Sequence, residues 1–300
     1  MPDINFPDID FSSAPFDQLA HLRLALGPNW TELAVLNAAL TDILKRSDSA
    51  LLKFVEQNKE LLSDGLSFEQ RIADRGEIAT RVANVHDFYS ALMWLRFPKV
   101  KRAINAIHLF GIAQHGTKVR SRHQQAVTHL DEAGAWVVAM HSDLLGLIDA
   151  HAWHTLFFTN RSAWGSDLGS GPAIEARVFG HAIFELMHAP HKLVAAKVVW
   201  VVADAGYFLL SNAEKDAALD TLVATALVAT TVGGDPKLLS TLPLSGIPGW
   251  WPEQNADFYA TAPCFRPRPE GRIYSPALVL RLQGQGPNGK STAARSNLSG

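Results

Sequence analysis

The chain has 300 residues, 47% of them hydrophobic and 19% charged, which excludes wholesale disorder and allows a sizeable buried core. A net charge of −2, with twelve histidines counted as neutral, supplies no global field for nucleic acid or an anionic membrane. A single cysteine, Cys264, excludes an internal disulfide and a multi-thiolate zinc cluster.

The N-terminus, MPDINFPDIDFSSAPF, is acidic and interrupted by prolines, without the basic region and apolar run of a signal peptide. Residues 1–15 therefore read as an irregular arm. Residues 16–26 predict a short helix ending at Gly27-Pro28. A second helix follows, with Thr31 as its cap and Leu33, Leu36, Leu40 and Leu44 on its apolar stripe. Residues 51–55 predict a strand, the sequence through Leu66 a loop, and residues 68–74 a helix stopped near Gly76. Residues 87–95 are apolar and helical, and Pro98 opens a further helix over 99–110.

Residues 126–130 and 135–140 flank Asp131-Glu132-Ala133-Gly134, which predicts a β-hairpin. Ser142 caps a helix to about residue 150, a Trp- and Phe-rich stretch covers 153–158, and 165–171 is a glycine-rich loop. Residues 175–179 predict a strand running directly into a helix over 181–188. The valine-rich stretch 194–203 predicts a central strand; it carries Lys197 and is about half of what a bilayer span of ~20 residues needs. Ser211 or Asn212 caps an alanine-rich helix over 213–230. The chain is then proline-rich and aromatic to about residue 268, and residues 283–300 predict a disordered tail. This order lacks a regular βαβ alternation. It predicts an α+β fold, a helix-rich single domain over residues 16–282 around a small, mainly antiparallel sheet.

Gly284 to Ser291 fits the P-loop pattern in full, with Gly289, Lys290 and Ser291 in place. Only nine residues follow Ser291, too few for the helix and sheet a phosphate cradle needs, so the match reads as low-complexity tail. His181-x-x-x-Glu185-x-x-His188 puts three polar side chains near one helix face, a spacing that suits a metal or an acid–base pair. Arg81, Asn84, His86 and Asp87 lie together just before an apolar helix. Capping explains one or two of them, while adjacent His and Asp can supply a base and its orienting carboxylate, or two metal ligands. Residues 96–102, with Arg96, Lys99, Lys101 and Arg102, read by default as solvated surface and otherwise as an anion dock. Asn105 and His108 follow on the next helix.

Several blocks resemble a bacterial family known as the domain-of-unknown-function family numbered 3025. They are Arg71-Ile72 through Thr80-Arg81, Asn84-Val85-His86-Asp87-Phe88, Ala91 through Leu95 and Phe97-Pro98-Lys99. Further on come Leu130 through Gly134, Phe179-Gly180-His181-Ala182 with Glu185, Gly246 through Trp250, Phe258-Tyr259 and Phe265-Arg266-Pro267. The likeness covers roughly residues 15–268. It implies no activity, but it implies that the P-loop-like tail lies outside the shared domain and that His86-Asp87 and His181-Glu185 belong to its core.

The expectation is a cytoplasmic protein in which Arg81, Asn84, His86 and Asp87 converge with His181 and Glu185. It would be a small-molecule hydrolase or transferase, with or without a divalent metal. His86, Asp87, His181 and Glu185 would be catalytic, and Arg81, Asn84 and Lys99 would hold an anionic small molecule. The sequence leaves open a non-enzymatic scaffold, in which the same residues fix loops and residues 243–265 face a partner. It gives no support to a membrane or nucleic-acid partner.

Overall fold

A computed structural model describes residues 9–165, 172–188 and 192–282. The P-loop-like segment and the expected tail lie outside the described residues, as does most of the N-terminal arm. The helices are α1 (Ala20–Leu26), α2 (Leu33–Arg46), α3 (Phe68–Arg75), α4 (Val85–Arg96), α5 (Pro98–His115), α6 (Arg122–Ala133), α7 (Ser142–Asp149), α8 (His181–Met187), α9 (Ala205–Phe208), α10 (Asn212–Val228) and α11 (Ala256–Thr261). The strands are β1 (Lys53–Glu56), β2 (Glu77–Thr80), β3 (Gly134–Ala139), β4 (Ile174–Val178), β5 (Ala195–Ala203), β6 (Ser240–Pro243) and β7 (Leu278–Leu280).

The nine-residue β5 is the spine of the larger sheet. β3 runs parallel along one edge, with Gly134 opposite Lys197 and Ala139 opposite Val202. The other edge is shared: β6 pairs antiparallel with Ala195 through Val198, and β7 parallel with Val201 through Ala203. β4 completes the sheet, antiparallel to β3. The α+β expectation holds, but the sheet is mixed rather than mainly antiparallel. β3 is buried along its whole length, which suits a continuous apolar run covered on both faces. A second, two-stranded sheet is the parallel pair β1–β2, closed by the crossover helix α3. Buried apolar side chains from Phe16 to Leu280 form one contiguous core.

The expected hairpin is absent. Residues 122–133 are one helix, opened by a capping box between Ser121 and Gln124, with Ala126, Val127 and Leu130 on its buried face. Gly134 is extended (φ −90°, ψ 151°), so α6 passes straight into β3 without a turn. The cationic stretch 96–102 is largely neither solvated surface nor a dock. Arg96 is buried and paired through two nitrogens with Asp216, which also holds Arg177. Lys101 is buried against Asp131 at 2.6 Å. Carboxylates on α10 (Asp216) and α6 (Asp131) decide this, and local composition cannot show them.

One backbone crossing fixes how the sheet meets the helices. The Gly134 carbonyl accepts hydrogen bonds from the Phe179 and Gly180 N–H groups at 2.9 and 2.8 Å. A Cβ on Gly180 would lie 2.4 Å from the Gly134 nitrogen and 2.5 Å from both the Ala133 Cα and the Glu132 carbonyl. Only glycine permits this approach. Gly180→Ala should therefore destabilise the fold by about 1–3 kcal/mol or more, read as a lower urea midpoint. Gly146→Ala, at a helical position where a Cβ meets nothing within 4 Å, should be neutral or stabilising.

Candidate functional site

Four segments carry most of the polar side chains around one cavity of about 340 Å³, which α3 and the α5–α6 loop also line. The first is the turn from β2 into α4. Asn84 caps α4 by accepting from the Asp87 N–H, and Ala83 before it has a φ of +70°. A non-glycine residue in that region is strained, a feature that concentrates at functional sites. The Asp87 carboxylate accepts from the Arg81 backbone N–H, Nε and Nη2 at 2.7–2.9 Å. Burial alone would raise the Asp87 pKa, but the Arg81 hydrogen bonds and charge outweigh it and hold it below the usual carboxylate value. These contacts set the first helical turn, from which His86 projects.

The second and third segments are the end of α6, carrying Asp131 and Glu132, and the start of α8, carrying His181 and, one turn on, Glu185. His86 sits between them. Its Nδ1–H donates to Glu185 Oε2 at 3.0 Å, and its Nε2 lies 2.9 Å from His181 Nε2. Glu132 Oε2 is 3.5 Å from His181 Nε2 and 3.9 Å from His86 Nε2. The other His181 ring nitrogen, Nδ1, is buried without a hydrogen-bond partner among the described residues. Burial pushes the His181 pKa down to about 4, against the opposing charge of Asp131 and with help from Lys101 and His86. Burial also raises the Glu132 carboxyl. The fourth segment is α5, which adds Lys101 and His108 to the wall; burial keeps His108 below its ordinary pKa.

The two expected blocks thus meet. His86, Asp87, Arg81 and His181 line the cavity, and Glu185 backs His86. Asn84 acts as a helix cap. Lys99 is elsewhere: its Nζ bonds Thr221 and its N–H bonds Asp220, so it is not brought to the cavity. His188 also leaves the group, bonding the Tyr89 hydroxyl and stacking on Phe16. Asn105 lies in a small recess shared with His108 and Lys101. The residue that sequence reasoning missed is Glu132, hidden in the supposed hairpin turn. A helical reading of 122–133 would have placed it at a helix end beside Asp131.

Three electron-rich atoms therefore converge: His86 Nε2, His181 Nε2 and a Glu132 oxygen, all within 4.8 Å of one another. With its Nδ1–H committed to Glu185, a neutral His86 turns an Nε2 lone pair toward His181. The arrangement needs a proton or a cation between the rings. The separations of 2.9, 3.5 and 3.9 Å are each below twice a metal–ligand bond of roughly 2.1 Å, so one ion can touch all three.

The buried His181 also predicts a pH dependence of stability. Its folded pKa lies below its unfolded value of 6.5, so its stabilising contribution is full above pH 6.5 and is lost as pH falls toward 4. Each pH unit inside that window costs up to about 1.4 kcal/mol. Urea unfolding of chelator-treated protein should show this loss between pH 7 and pH 5, and His181→Gln should flatten it.

No curated protein and no solved structure matches this chain. Residues 52–269 match the family described as "Protein of unknown function (DUF3025)". That span begins just before β1 and ends in the proline-rich segment before β7, and so holds each residue of the cavity site. The chain belongs to this family.

Proposed function

We propose that the protein is a metal-dependent hydrolase of a small anionic substrate, working in the cytoplasm, with His86, His181 and Glu132 as ligands of one divalent ion. The observation that carries this is the convergence of the two Nε2 atoms on the Glu132 carboxylate. Behind His86, Glu185 accepts from its Nδ1–H. Acceptors on the outer side of ligand imidazoles fix tautomer and ring orientation, which is the usual support of a bound metal. Two histidines and one carboxylate leave positions open for water and substrate, as catalytic rather than structural sites do; the donor set suits zinc and ferrous ion alike. The ion would supply Lewis acidity and a bound water of lowered pKa.

The chain's own groups do the rest. Arg81 is spent on Asp87 and Lys101 on Asp131, so both hold the cavity's shape. Arg120, exposed at the cavity wall, has no carboxylate within ion-pair distance among the described residues and is the group that anchors an anion. His108, whose pKa burial lowers, is the cavity histidine left to exchange a proton with substrate.

Metal-stripped protein titrated with Zn²⁺ and, anaerobically, with Fe²⁺ should take up one ion per chain. His181→Ala and Glu132→Ala should abolish stoichiometric uptake, Glu185→Gln should weaken it about 10–100-fold, and His188→Ala should leave it unchanged. Hydrolysis of a carboxylate- and phosphate-ester panel should follow metal occupancy. Failure to bind either ion, or uptake indifferent to Glu132, would overturn the assignment.

A further inference from the structure

A second cavity, of about 540 Å³, shares no lining residue with the first. Its floor comes from the paired edge of β5 and β6, where Lys197 stands opposite Thr241. Its wall is an aromatic array. The rings of His151 and Tyr274 stack at 5.9 Å and 7°, and His151 packs on Trp153 at 4.6 Å. Hydrogen bonds lock that wall. His151 Nδ1–H and Trp153 Nε1–H both donate to the Arg266 carbonyl, at 3.1 and 2.7 Å, and the Tyr274 hydroxyl donates to His151 Nε2 at 2.8 Å. Prolines stiffen the remaining segment, including Pro263 beside Cys264.

The charges here are one-sided. Lys197, Arg266 and Arg272 line the cavity, and none of the lining residues is acidic. Among the described residues none of the three has a carboxylate within ion-pair distance. Lys197 uses its Nζ on the Thr241 hydroxyl at 2.9 Å, and Arg272 donates to the Lys237 carbonyl at 2.9 Å. Burial, and then the charge of Arg272, push the Lys197 pKa down, so each cation makes the other costlier to keep. In the rest of the fold the buried cations Arg71, Arg96, Lys101, Arg177 and Lys215 all have acidic partners. A rigid, largely apolar cavity in the size range of small-molecule sites, with unneutralised cations at its floor, is complementary to a flat apolar body bearing an anionic group.

We propose that this cavity binds a small aromatic carboxylate, with the carboxylate on Lys197 and Arg272 and the ring against Tyr274, His151 and Trp153. The site is independent of the metal-binding reading, because neither cavity contributes to the other.

The test uses the full chain and 1-naphthoate, with 1-naphthamide as its uncharged counterpart. Calorimetry should give one saturable naphthoate site, and bound naphthoate should slow thiol labelling of Cys264 in the cavity wall. Naphthamide should bind at least about tenfold more weakly, since a charge-assisted contact is lost. Lys197→Met and Arg272→Gln should each show a similar loss, with thermal unfolding checking that each variant is folded. His181→Ala should bind as the parent does. Equal binding of naphthamide, naphthoate binding that survives both cation substitutions in folded protein, or no saturable binding would overturn the proposal.

Discussion

The approach of Gly180 to Gly134 is the constraint on which the rest of the molecule depends. One carbonyl accepts two N–H groups there, and the missing side chain lets the start of α8 rest on the junction between α6 and β3. The consequence is chemical as much as architectural. Glu132 lies two residues before Gly134 and His181 one residue after Gly180, so closing the backbone gap presses a carboxylate and an imidazole together. His86 then reaches the same point from α4, whose first turn Asn84 and the Arg81–Asp87 pair hold in place. Every part of the site except the cavity wall is thus tied to a helix end, where the backbone is fixed on one side and open on the other.

Around this point the fold spends its charges in pairs. Asp216 holds both Arg96 and Arg177, Lys101 is fixed to Asp131, and Glu175 takes Lys215 and the Tyr207 hydroxyl. A buried ion without a partner costs several kcal/mol, so such pairs say little about function and much about register between helices and sheet. They also make the exceptions informative. The two facing imidazoles beside Glu132 need a proton or a cation between them, and the cations lining the second cavity have no carboxylate within ion-pair distance among the described residues. The ligands proposed for the two places are accordingly of opposite sign.

The sequence by itself determined the elements whose signals are local. The central strand β5, α10 with its Ser211 cap, and the strand-to-helix passage from β4 into α8 all follow from a valine run, a capping box and a change of period within a few residues. It also singled out His86, Asp87, His181 and Glu185, whose types and spacing exceed what capping requires and which the structure brings close together. The tertiary structure alone decided three things. It made 122–133 a helix, because the face of Ala126, Val127 and Leu130 is buried by distant elements, where a glycine after Asp-Glu-Ala had suggested a turn. It made Arg96 and Lys101 interior residues, because their carboxylates come from Asp216 and Asp131, far along the chain. And it added Glu132 to the two histidines, because that meeting depends on a backbone crossing between residues 134 and 180, which no local pattern encodes.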